Sequence, residues 1–167
     1  MFSQQSRKAF GRSDSGSALI EFSASATLLM MVIFGTMETA RALYVANFVS
    51  NAAPEAIRYA MVRGSTWSGT ACSSTTTSEC AATAANVSSY LTSLAPPGVS
   101  TSTDYLTIAT TWPGTTPSGA SCSAVGVKNA PGCIVRVNVT YSFSYIFPFM
   151  PKGSLPLSST SAMVISQ

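Results

Sequence analysis

Glu21 is the only ionisable side chain between Ser17 and Gly35, set into the otherwise apolar run GSALIEFSASATLLMMVIF, Gly16 to Phe34. The chemistry it offers is charge pairing in a dry environment. A carboxylic acid at membrane depth costs about 2.5–3.5 kcal/mol on insertion scales, so it is kept for a purpose. A cut after Gly16 makes Ser17 a new N-terminus, with a cationic α-amino group four residues from Glu21 and Phe22 beside it.

The remaining reactive side chains argue against catalysis. The chain has no histidine, which excludes the usual triads and His-ligated metals. Beyond the apolar run the acids are Glu38, Glu55, Glu79 and Asp104, dispersed and without a motif, and the glycines form no phosphate loop. The reading is of a protein that is not an enzyme and carries no cofactor.

Four cysteines fall into two local pairs, Cys72 with Cys80 and Cys122 with Cys133. No two lie two to four residues apart, so a zinc site has no support. In an oxidising compartment an even count reads as disulfides. Three connectivities are open; the two local pairings are favoured, because each closes a Ser/Thr/Gly-rich loop that builds no core of its own. Asn86-Val87-Ser88 and Asn138-Val139-Thr140 match the glycosylation acceptor triplet but are read as structural.

The apolar run is about 19 residues long, just enough helix to cross a ~30 Å hydrocarbon core. Arg7, Lys8 and Arg12 precede it against Asp14 alone, which holds that flank in the cytoplasm and exports everything after Glu38. A cleaved secretory signal fits less well, since no small-x-small site follows the core cleanly before Glu38 and Arg41. An ordinary signal anchor explains the span and its flank but not Glu21.

A short basic leader ending in glycine, then SALIEF and an apolar helix, resembles the processing site of type IV pilins and pseudopilins. Further on, Glu38-Thr39-Ala40-Arg41 and NAAPEAIRYAMVRG (Asn51 to Gly64) resemble the TadE-like proteins of the tight-adherence (Flp) pilus apparatus. The resemblance is good over roughly residues 15–64 and weaker over 133–166; Pro54 departs from it. It implies removal of the leader after Gly16 by a prepilin peptidase, and assembly through Glu21 and Phe22. The implied partners are other pilins, an inner-membrane assembly platform and the lipid bilayer. The mature protein is then anchored in a bacterial inner membrane with its bulk periplasmic, or is extracellular in a pilus. The alternatives are a main filament subunit and a signal-anchored periplasmic binding module.

Four segments follow: a basic leader (1–16), a transmembrane helix (17–36), its exported continuation (37–63) and a disulfide-stapled head (64–167). Val45, Val49, Ala52, Ala56 and Ala60 recur at helical spacing, so one helix is expected from Ser17 to about Arg63, with a kink or break near Ser50–Ala53 imposed by Pro54. Glu38 and Arg41 read as a solvated pair on its surface. The alanines fit either helix propensity or close helix packing. Ala84, Val87, Leu91 and Leu94 mark a short amphipathic helix halted by Ala95-Pro96-Pro97-Gly98. A strand is expected from Tyr105 to Trp112. A second follows, where Val135, Val137, Val139, Tyr141, Phe143 and Tyr145 alternate with polar residues. PFMPKGSLP is a connection, and Leu155, Leu157, Met163 and Ile165 suggest a last strand. The fold class is α+β: a long, partly transmembrane helix packed on a small antiparallel sheet, a lollipop with two disulfides. Charged residues are only 9% of the chain and form no basic stripe, so nucleic acid is not an expected partner.

Overall fold

The computed structural model describes residues 15–67, 81–122, 128–147 and 153–166. Two helices and three strands follow in the order α1 (Ser15–Met61), α2 (Ala84–Ser93), β1 (Leu106–Thr111), β2 (Ile134–Ser144) and β3 (Ser154–Val164). The strands form one antiparallel sheet in the order β1-β2-β3. Leu106 lies opposite Tyr141, and Ser154 opposite Ser144. Helix α1 packs across β2 and β3, while α2 lies beside α1 and over β1. This is the expected helix-on-sheet architecture. The leader and the Cys72–Cys80 pairing lie outside the described residues. The last strand includes Leu155 as expected and starts at Ser154, so the end of the expected connection belongs to it.

Period-two alternation places Val135, Val137, Val139, Tyr141 and Phe143 on the buried face of β2. They meet Val45, Val49, Ala52, Ala53, Ala56, Ile57 and Ala60 of α1. Ala53, Ala56 and Ala60 are fully buried, so these small side chains let the helix lie close against the sheet. Helix α2 starts with a capping box: the Asn86 N–H donates to Thr83 Oγ1 at 3.2 Å, and the Thr83 N–H donates to Asn86 Oδ1 at 3.0 Å. Asn138 donates to Thr160 Oγ1 across β2 and β3 at 2.8 Å, so the side chains of both acceptor-triplet asparagines serve the fold. Beyond α2, the Val99 N–H donates to the Pro96 carbonyl, with Gly98 at φ +88° as that tight turn requires.

The expected break at Pro54 does not occur. Helix α1 runs 47 residues through it, about 70 Å. Proline has no N–H, so the carbonyl of Ser50 loses its helical donor. The hydroxyl of Ser159 in β3 faces that carbonyl at 3.5 Å, a long contact that replaces it from another element. Sheet packing on the same turn, at Ala52, Ala53 and Ala56, holds the helical course.

Candidate assembly helix and its neck

Helix α1 has two environments. From Gly16 to Tyr44 most side chains are exposed, with Ala26, Phe34, Arg41 and Ala42 half-buried and Glu38 buried, and Leu19, Ile20, Phe22, Leu28, Leu29 and Val32 are more than half exposed. This part contains an 18-residue window of mean hydropathy 1.8, none of it buried by the rest of the chain. Water is the wrong solvent for such a surface; its length and composition suit a bilayer. From Val45 upward the same helix is the spine of the core.

Gly16 stands in the first turn of α1, and a Cβ added there would meet nothing within 4 Å. The fold therefore does not require glycine at this position. Ser17 is exposed beside it, and Glu21 and Phe22 point out from the bare part of the helix, Phe22 at 73% exposure. Glu21 makes no ion pair with any described residue. These four residues thus share one end of one helix, with no partner among the described residues of the head.

The neck is where the sequence misled. Glu38 is not solvated: it is 1% exposed. Its Oε1 accepts from Arg41 Nη1 at 2.7 Å and from the backbone N–H of Ile146 at 3.2 Å. Among the described residues its Oε2 has no hydrogen-bond partner. The Arg41 guanidinium also lies 5.1 Å from the ring centroid of Phe143, a cation–π arrangement. One turn lower, Phe34 stacks on Phe147 at 4.7 Å. The end of β2 is thus fastened to α1 at the base of the head. A signal for this was present: Glu38 sits one heptad before Val45, on the stripe that continues through Val49, Ala52 and Ala56.

At the far end, Ser166 donates its N–H to the Met61 carbonyl at 2.9 Å, and Ala82 donates to the Arg63 carbonyl at 2.7 Å. The Arg63 guanidinium covers the Tyr59 ring at 4.0 Å, and Tyr59 stacks on Tyr90. Tyr90 donates its hydroxyl to Glu55 Oε1 at 3.0 Å; burial, then that hydrogen bond, raises its pKa above the usual 10.0. Cys122 and Cys133 form the expected disulfide, with Cα atoms 5.3 Å apart and a sequence separation of 11. In the chain-entropy picture a loop of this size is worth about 3 kcal/mol. A Cys122→Ser, Cys133→Ser double variant is therefore expected to lose roughly that much stability. Thermal or denaturant unfolding of the full chain in detergent checks it.

No group of three or more His, Cys, Asp or Glu side chains that could hold a metal occurs among the described residues. What the geometry offers is an apolar helix to embed and a head to present. No curated protein and no solved structure matches the chain. Residues 16–58, which make up the bare span, the neck and the buried spine of α1, are similar to the family described as TadE-like protein.

Proposed function

We infer that this chain is a pseudopilin or minor pilin of a tight-adherence (Flp) pilus system, processed after Gly16 and assembled through its N-terminal helix. The observation that carries the reading is the family match over 16–58, which starts at the expected processing glycine and follows α1 through the neck. In this reading the leader stays cytoplasmic, residues 17–36 cross the inner membrane, 37–63 continue the helix and 64–167 form the exported head. A prepilin peptidase removes residues 1–16. Other pilins and an inner-membrane platform then engage the exposed helix, with Glu21 paired to an N-terminal amine and Phe22 packed beside it. The open space around Gly16 supports this, because packing among the described residues gives no reason for a glycine there.

Mass spectrometry of the native protein tests the processing step, with Ser17 as the expected first residue. Gly16→Leu is expected to accumulate a precursor 16 residues longer, still inserted in the membrane. Normal maturation of Gly16→Leu, or an intact Met1 in the wild-type protein, rejects the assignment.

A further inference from the structure

We propose that neighbouring copies of this chain join edge to edge through their sheets, the free edge of β3 in one copy adding to β1 of the next in parallel. The proposal takes from the reading above only that the copies share one membrane.

The first observation is the edge itself. The Ile165 N–H donates to the Cys133 carbonyl on the β2 side, whereas the Ser166 N–H points away from β2 to Met61. Alternation along the strand therefore turns the backbone groups of Ser158, Thr160, Ala162 and Val164 outward, toward no described strand. Pro156 falls in the same outward set, where a missing N–H leaves the ladder intact. Of the 11 residues of β3, eight are exposed.

The second observation is chemical. Exposed edges are ordinarily protected by charge, proline, brevity or a bulge, and on β3 Pro156, near its start, is such a device, leaving the edge from Leu157 onward without one. Neither the six residues of β1 nor the 11 of β3 include a charged side chain, and β3 is long. The edges are built as pairing surfaces.

Direction selects the occupant. Contacts of β3 rise along α1, from Ser159 at Ser50 to Ser166 at Met61, so β3 runs with the helix away from the membrane. Antiparallel pairing of two β3 edges would point the two apolar helices in opposite directions, which one membrane forbids. Strand β1 is antiparallel to β2, as β3 is, so β1 and β3 run the same way. A side-by-side copy therefore offers β1 to β3 with both helices upright. The same shift brings its α2, which lies over β1, toward the flank of the first copy's α1, so both layers continue.

The test uses full-length chains in native membranes. Two differently tagged copies are co-expressed, one Thr160→Cys and the other Ala109→Cys, both at exposed positions. A flexible thiol linker absorbs a register shift of two residues, roughly 7 Å. Mixed dimers are expected about tenfold above those formed by either variant with itself, the margin of a specific contact. Ala162→Pro, which removes one outward N–H, is expected to lower cross-linking of the pair about fivefold while the melting temperature holds. If Ala162→Pro itself unfolds, Ala162→Lys keeps the backbone and is expected to give the same fall. Dominant Thr160→Cys self-linking, or no cross-linking above background, overturns the proposal. If helix-dependent co-purification with other pilins persists in that case, the edge contact fails and the assembly reading stands.

Discussion

Glu21→Ala is expected to be cleaved and inserted like the wild type, yet to lose at least tenfold in co-purification with other pilins, and piliation with it. Processing after Gly16, as proposed, would put the α-amino group of Ser17 one helical turn from the carboxylate, within reach of its own Glu21 or a neighbour's. Inside a bilayer the attraction far exceeds its value in water, although desolvation offsets much of the gain. What remains is register, because a subunit docked at the wrong height leaves two charges unpaired in lipid. Glu21→Gln tests the charge with the size kept and is expected to fail in the same way. The measurement pairs membrane abundance, expected near normal, with pull-down of partner pilins. Assembly of Glu21→Ala at wild-type level removes the residue from the mechanism.

Phe143→Ala is expected to produce the largest loss of stability, about 3–5 kcal/mol, the usual range for a buried aromatic truncated to a methyl group. Phe143 is 1% exposed and among the largest fully buried side chains. It lies under the Arg41 guanidinium and edge-on to Tyr145, so its removal opens a cavity beside the Glu38 contacts as well as in the core. Denaturant unfolding of the full chain in detergent measures the loss, and Phe143→Leu is expected to recover part of it. A change below 1 kcal/mol would show that the base of the head contributes little to stability.

Much of this architecture was legible in sequence because its signals are local and repeated. Valine alternation over β2 required one buried face, and the Val45–Ala60 stripe required the helix to supply the other. The Cys122–Cys133 closure was legible for the same reason, both cysteines flanking one short loop. The two misreadings share a different cause. Pro54 was read as imposing a kink or break, and no break occurs; the group facing the Ser50 carbonyl, Ser159, lies 109 residues away. Glu38 was read as solvated because the Ile146 N–H that it accepts lies 108 residues away. Propensity and pattern describe what neighbours in sequence do; these two outcomes belong to pairs that only the fold brings together. The roles proposed for Gly16, Ser17, Glu21 and Phe22 would depend on contacts beyond this chain, so residue type and order alone carry them.

Helix α1 passes from the bare span into the head without a loop, and the sheet is tied to it at two heights, Glu38 with Ile146 and Met61 with Ser166. These ties are separated by 23 residues of helix, about 35 Å. The part therefore behaves mechanically as a splinted rod. A pull on the far end of the head is shared between covalent helix and hydrogen-bonded strands, and it reaches the bilayer with no hinge to absorb it. A twist of the buried span turns the whole head by the same angle, so orientation in the membrane sets which face the head offers to its surroundings.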